Sequence, residues 1–324
     1  MKKAPWLIKK VGRKVFDIRD RILASYWSKA IIKNPQKHAV REVKRQKQIL
    51  LRPVDIKNPK FFSEKMLWLK YFLYNESPLV AQCYNKYEVR QYIESKGLGY
   101  ILNELYGVWD SVDDIEWDCL PYEYVMKVSN GYAGHVFKRN GEPFDISNAK
   151  KTIKQTRNKY TYFYSLTGDM FVGKTNQYII CERLLHSNLG YVSPEDYKFY
   201  CFNGEPKFIE FMCNREGGSI YNEVFVDMEL NDRHDLEGEA AEGTFVPPAC
   251  MREMIDIAKK LSADFPFVRV DLYVENERPI FGELTFTPFH KQTEQSEIEL
   301  GNLLDITDIQ RYRDILSRKV TYKI

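Results

Sequence analysis

Two short strand-like runs, Phe267-Val-Arg-Val-Asp271 and Phe281-Gly-Glu-Leu-Thr285, constrain this chain more than any other feature. Asn276-Glu-Arg-Pro279 lies between them and reads as a turn. Residues i and i+2 of a strand point to the same face. Arg269 therefore shares a face with Asp271, and Glu283 with Thr285. Paired as a hairpin, the runs bring one cation and two carboxylates together. Such a set suits Mg²⁺, which takes oxygen ligands and commonly rests on one or two carboxylates plus substrate phosphates. Two half-buried strands with charged solvent faces would give the same pattern.

With 324 residues, 44% of them hydrophobic, the chain can bury a sizeable core in one large or two ordinary domains. Its net charge of +3 conceals an asymmetry. Residues 1–60 hold 18 Lys and Arg against 4 Asp and Glu, a net of +14, and the rest hold 30 against 41, a net of −11. A basic head on an acidic body points to a polyanion, either a membrane surface or a nucleic acid. No zinc spacing or RNA-recognition run accompanies the charge, so nucleic acid is not expected as a partner. The cysteines Cys83, Cys119, Cys181, Cys201, Cys213 and Cys250 lack metal-ligand spacing and read as reduced thiols of a cytosolic protein. No run of about 18 apolar residues is available to span a bilayer, and the N-terminus is not a secretory signal.

Within residues 5–28, Trp6, Leu7, Val11, Val15, Phe16, Ile18, Ile22, Leu23, Tyr26 and Trp27 recur at helical spacing, interleaved with Lys9, Lys10, Arg13, Lys14, Arg19 and Arg21. A basic amphipathic helix of this kind reads as an interfacial membrane element, or as a helix that packs on the body. Residues 36–52 suggest a second basic helix. Ser63 is a natural N-cap for a helix over residues 64–73. Further helices are expected from Asn85 to near Gly97, over 149–164, 251–262 and 305–318. Strands are expected over 121–128, 177–185, 197–202 and 206–212, the last two joined by Asn203-Gly204, a strong hairpin signal. Helices flanking mostly antiparallel strands predict an α+β fold.

Two further stretches carry chemistry. Lys127 falls late on a strand, before the small-residue loop Ser129-Asn130-Gly131-Tyr132-Ala133-Gly134. Loop N–H groups can cradle phosphates while the lysine supplies charge, although a surface hairpin would look similar. The apolar run Tyr178-Ile-Ile-Cys-Glu182-Arg-Leu-Leu185 ends near a carboxylate that could meet an adenine, or could equally be one exposed acid on a core strand.

Lys86, Lys127, Glu182, the R-x-D strand and the E-x-T strand follow one another in the order of the ATP-grasp superfamily, which this chain resembles. The likeness is to the teichuronopeptide-biosynthesis (TupA-like) branch. It is carried by Asn58-Pro-Lys-Phe-Phe-Ser-Glu-Lys-Met-Leu-Trp-Leu-Lys70, Asp196-Tyr-Lys-Phe-Tyr-Cys-Phe-Asn-Gly-Glu-Pro-Lys-Phe-Ile209, Phe265-Pro-Phe-Val-Arg-Val-Asp-Leu-Tyr273 and Gly282-Glu-Leu-Thr-Phe-Thr-Pro288, over residues 55–300. The resemblance implies an ATP-grasp fold, two α+β subdomains clasping ATP; residues 1–54 lie outside it and are expected to form a basic helical extension. Residues 55–180 would hold the phosphate-binding lid and 181–324 the metal site.

The same resemblance implies roles. Lys86 and Lys127 would hold ATP phosphates, with Ser129, Asn130, Gly131 and Gly134 in the lid above them. Glu182 and the backbone through Leu184 would hold adenine. Arg269 would contact the transferred phosphate, and Asp271, Glu283 and Thr285 would ligate Mg²⁺. Lys198, Arg215 and His290 are candidates for phosphate or substrate contacts, and His135 for a part on the lid. The chain departs from the family pattern at Asn85, Tyr132 and Phe289-His290. The implied reaction is ATP-dependent joining of a carboxylate to an amine through an acyl phosphate. Its substrates would be a bacterial surface polysaccharide or lipid-linked saccharide and an amine donor, at the cytoplasmic face of an anionic membrane. A glycosyltransferase, a kinase of a sugar or lipid hydroxyl, and a nucleotide-binding protein without turnover are the alternatives.

Overall fold

The computed structural model describes residues 4–45, 54–216, 219–233, 236, 244–288 and 293–321. Two helices lead, α1 (Ala4–Lys33) and α2 (Pro35–Arg45), then α3 (Phe62–Phe72), α4 (Pro78–Tyr84) and α5 (Val89–Ser95). Strands β1 (Leu105–Trp109), β2 (Tyr124–Val128) and β3 (Val136–Lys138) precede helices α6 (Ile146–Tyr160) and α7 (Phe163–Thr167) and strand β4 (Ile179–Glu182). The remainder runs β5 (Asp196–Phe202), β6 (Glu205–Glu216), β7 (Ser219–Asp227), α8 (Met251–Ser262), β8 (Phe267–Glu275), β9 (Arg278–Thr285), α9 (Glu294–Leu303) and α10 (Ile309–Leu316). The strands form two antiparallel sheets, ordered β1-β4-β2-β3 and β7-β6-β5-β8-β9. The chain is α+β.

Several elements start elsewhere than their sequence suggests. Ser63 does not cap α3. The helix begins two residues earlier than expected, at Phe62, and Glu64 Oε2 accepts from the amides of Lys60 (3.0 Å) and Phe61 (3.2 Å) while its Oε1 accepts from Asp55 N (3.0 Å). Ser63 instead donates through both N and Oγ to Glu297 of α9. The expected strand over 177–185 shortens to β4, and the helix over 149–164 becomes α6 and α7. The expected division at residue 180 falls inside β4.

Two hairpins of the larger sheet, β5–β6 and β8–β9, turn on two residues with positive φ, Asn203 (51°) with Gly204 (84°), and Asn276 (51°) with Glu277 (60°). Such turns match the twist of their strands. Each hairpin then slips by one residue at a bulge. In β5–β6 the slip follows Tyr200, so Lys198 faces Glu210. In β8–β9 it lies between Asp271 and Leu272, so Asp271 faces Glu283 and Arg269 faces Thr285. A regular hairpin from the same turn would place Gly282 opposite Asp271 and send Glu283 to the other face. Gly282 permits the slip, because a Cβ there would lie 2.8 Å from the Asp271 carbonyl oxygen.

The main core joins residues from both ends of the chain. Leu69, Tyr74, Leu79 and Tyr92 from the helical segment pack with Phe199, Phe211, Phe225 and Val270 of the larger sheet, covered by Met254 and Leu261 of α8. The smaller sheet has its own core, in which Tyr124, Met126, Val128, Ile179 and Cys181 meet Ala149 and Ile153 of α6. A third cluster seats the N-terminal extension: Ile31 of α1 and Ala39 of α2 pack with Ile56, Leu67 and Tyr71. Glu42 of α2 is buried there, 2.8 Å from Lys70 Nζ and 2.5 Å from the Tyr71 hydroxyl. The part of the second expected helix beyond α2, residues 46–52, lies outside the described residues.

Candidate active site

A row of charge crosses four strands of the larger sheet. Register places Glu210 beside Lys198, Lys198 beside Asp271, and Asp271 beside Glu283. The neighbouring row runs Phe208, Tyr200, Arg269, Thr285. Arg269 grips Asp271 with two bonds, Nε to Oδ1 at 2.7 Å and Nη2 to Oδ2 at 2.6 Å, and reaches Thr285 Oγ1 at 3.3 Å. Lys198 is buried, with Nζ 3.4 Å from Glu210 Oε1 and 3.8 Å from Asp196 Oδ2. The Tyr200 hydroxyl donates to Glu210 Oε2 at 2.6 Å.

The first lysine approaches from the helical segment. Lys86 sits in the turn between α4 and α5, not in a helix, and Asn85 builds that turn. The Asn85 side chain accepts from the amides of Tyr87 (3.0 Å) and Glu88 (3.2 Å) and donates to Asn176 O (2.8 Å). The Lys86 amide donates to Ser129 O at 2.8 Å, which ties the turn to the end of β2. Its Nζ donates to Glu283 Oε2 at 3.0 Å.

The second lysine belongs to the smaller sheet. Lys127 Nζ donates to Glu182 Oε2 at 2.8 Å, and Arg90 Nη1 lies 3.8 Å from Glu182 Oε1. Glu182 thus stands between two cations. Leu184, two residues on, is buried. Ser129 and Asn130 are buried at the base of the loop: the Ser129 hydroxyl accepts from Tyr178 N (3.0 Å) and Asn130 Oδ1 accepts from Gln177 Nε2 (3.2 Å). The loop lies tightly on α6. A Cβ at Gly131 would meet the Tyr160 ring at 2.9 Å, and one at Gly134, where φ is +79°, would meet Thr156 Oγ1 at 2.2 Å. Tyr132 rests edge-on against Tyr160, with ring centroids 5.2 Å apart.

His135 closes the loop. Its Nδ1 is buried without a hydrogen-bond partner. Burial, aided by the charges of Lys86 and Lys127 and opposed by Glu283, pushes its pKa down to about 3. A neutral imidazole therefore sits within the field of both lysines. The two facing carboxylates are pushed apart. Burial raises Asp271 to about 7 against the pull of Arg269, whereas Lys86, then Arg269 and Lys198, outweigh burial and hold Glu283 at about 2. Neighbouring acids held so far apart mark sites that handle protons or cations.

These residues fit a magnesium nucleotide. Lys86 and Lys127 both spend their charge on carboxylates, Glu283 and Glu182, and an incoming phosphate or metal ion would exchange with those partners. Asp271 and Glu283 give two adjacent carboxylates, a usual protein share of a Mg²⁺ site when phosphates supply the rest. Among the described residues no three His, Cys, Asp or Glu side chains gather into a closed metal cage. His290 and Phe289 lie outside the described residues, as does the side chain of Arg215. Sequence reasoning overlooked Glu210, Tyr200 and Arg90 as supports. The Asn-Gly turn gives the approximate partner of Lys198, but only the bulge selects Glu210 over Ile209.

One lysine beside a glycine-containing loop reaches a carboxylate pair on the second antiparallel sheet, and another lysine holds a glutamate of the first, so the two sheets of this α+β protein share one charged cleft. The chain belongs to the TupA-like ATP-grasp family, whose sequence pattern matches residues 64–305. No curated protein matches it. Among solved structures it is similar to a D-alanine–D-alanine ligase from Bacillus anthracis complexed with ATP, at 14% identity and a TM-score of 0.38, covering 72% of this chain and 65% of that one. An ADP complex of PurK, an N5-carboxyaminoimidazole ribonucleotide synthetase, matches at 14% identity and a TM-score of 0.41, covering 70% of this chain and 51% of that one. The chain thus spans between half and two thirds of the length of these two structures.

Proposed function

We propose that this protein is an ATP-dependent ligase that joins a carboxylate to an amine, acting on a bacterial surface saccharide or its lipid-linked precursor. The observation that carries this reading is the bridge from Lys86 to Glu283, which sets a phosphate-type lysine 3.0 Å from one carboxylate of a two-carboxylate metal site. ATP, bound with Mg²⁺, supplies the phosphoryl group that activates an otherwise unreactive carboxylate. The chain's part is positioning and charge neutralisation. Lys86, Lys127 and the amides after Val128 hold phosphate oxygens. Asp271 and Glu283, with Thr285 beside them, hold the metal. Arg269, locked in direction by Asp271 and with Nη1 4.0 Å from Glu210, sets a fixed positive charge beside the group that is transferred. Glu182 and the backbone through Leu184 receive the adenine. Lys198 stabilises the acidic row from within the sheet. The saccharide substrate and the amine donor rest on family resemblance.

Thermal unfolding with Mg-ATP and with a panel of UDP- and GDP-sugars tests this reading. A ligand at about 100 times its Kd stabilises by about 2.7 kcal/mol, enough for a clear shift. A shift with Mg-ATP that Glu283→Gln abolishes, followed by hydroxamate formation when hydroxylamine is added with an acid substrate, is the expected outcome. A shift with a nucleotide sugar alone would make the protein a glycosyltransferase. ADP release without hydroxamate or amide would make it a kinase.

A further inference from the structure

Helix α1 carries two apolar faces, and the body uses only one of them. Ala24 and Ile31 are buried, Trp27 stacks edge-on against His38 of α2 at 5.2 Å, and Ser28 Oγ bonds Ser165 Oγ of α7 at 2.6 Å. On the other side Ile18, Ile22, Tyr26 and Ile32 are 59%, 65%, 61% and 73% exposed. At 100° per residue these four fall within about 120° of one another, a single stripe along the helix. A helix whose needs are met by packing on one side is ordinarily polar on the other, so a second apolar stripe calls for an occupant.

The charges around the stripe select that occupant. Lys29 and Lys33 are exposed within it and Arg19 on one border, while Arg21 on the other border lies over the Tyr162 ring of the body. Long basic side chains beside aliphatic groups can lay their stems along an acyl boundary and raise their charges to phosphate level. A second copy of the chain would bring an equally basic surface against this one, since residues 1–60 carry a net of +14. A nucleic acid would satisfy the lysines and arginines but has no use for three isoleucines in a row. No helix among the described residues is long and apolar enough to cross a membrane. We infer that the Ile18–Ile32 stripe of α1 is a docking face that lies on the surface of an anionic membrane. The inference is independent of the ligase reading.

Flotation of the full-length protein with vesicles of phosphatidylcholine alone, and with one third phosphatidylglycerol, tests it. Binding is expected to the anionic vesicles only, and to weaken as salt is raised. Each basic residue at such a surface changes the partition by about fivefold, so Lys29→Gln with Lys33→Gln should lower binding about 25-fold. Ile22→Asp should abolish it while leaving the thermal unfolding midpoint unchanged, because Ile22 touches solvent and not the core. Equal binding by Ile22→Asp, no binding to anionic vesicles, dimerisation through the stripe that Ile22→Asp abolishes, or tight binding to RNA indifferent to Ile22 would each overturn the assignment. Mg-ATP shifts measured on the same variants keep this result separate from the nucleotide reading.

Discussion

At the scale of single residues, two side chains set how the site responds to pH. His135 has its pKa pushed from 6.5 down to about 3. Between those values the unfolded chain holds a proton that the folded chain refuses, so its contribution is present above 6.5 and lost as pH falls toward 3. His135→Gln should flatten the acid limb of stability, measured as urea midpoints from pH 4 to 7, and an unchanged slope would contradict the burial of the ring. Asp271 works in the opposite direction. Its pKa is raised from 3.8 to about 7, so folded protein takes up a proton in that window and its stability falls as pH rises through it. A metal ion needs the ionised form, so Mg²⁺ binding should release a proton below pH 7 and weaken by up to about tenfold per unit. Calorimetry in buffers of different ionisation enthalpy reads this directly. The residue types of both groups were visible in sequence. Their environments were not, because Lys86 and His135 come into the field of Glu283 only after 147 or more intervening residues have folded back.

At the scale of elements, register decides whether the site exists. The R-x-D and E-x-T strands were legible from alternation, and so was the Asn203-Gly204 turn. The convergence of Asp271 with Glu283 depends on a one-residue slip that alternation does not encode. Gly282 is its only sequence trace. Gly282→Ala should strain the β8–β9 pairing by about 1–3 kcal/mol and remove the Mg-ATP thermal shift even where the protein stays folded. Retention of a full shift would show that the slip survives a Cβ. The start of α3 offers a second case. Ser63 looked like its cap, yet Glu64 gathers three backbone amides, because a glutamate in the first turn can reach back over the helix entrance. Glu64→Ala should cost about 2 kcal/mol by urea unfolding, and Ser63→Ala less.

At the scale of the whole molecule, the helical extension and the catalytic body are joined by buried charge. Lys70 of α3 lies between Glu42 of α2 at 2.8 Å and Asp169 at 3.1 Å, and Asp169 accepts from the Thr287 hydroxyl at 3.0 Å, just past β9. Burial alone would lower the Lys70 pKa, and Asp169 and Glu42 together raise it instead. Lys70→Met should destabilise by about 3–5 kcal/mol, since it strands two carboxylates, and Glu42→Gln in the same chain should recover part of that loss. The charge asymmetry of the sequence points to a basic head with a polyanionic partner. The structure gives that head one face fixed to the body and one turned outward. Anyone trimming this protein to its family-matching portion for crystallisation or assay removes a counter-ion along with the helices. A version beginning at residue 55 should keep Lys70, which still pairs with Asp169 at 3.1 Å; what it loses is the acceptor of the Tyr71 hydroxyl and the cover over Leu67 and Tyr71, so a low yield would report exposed apolar surface and not an unpaired lysine.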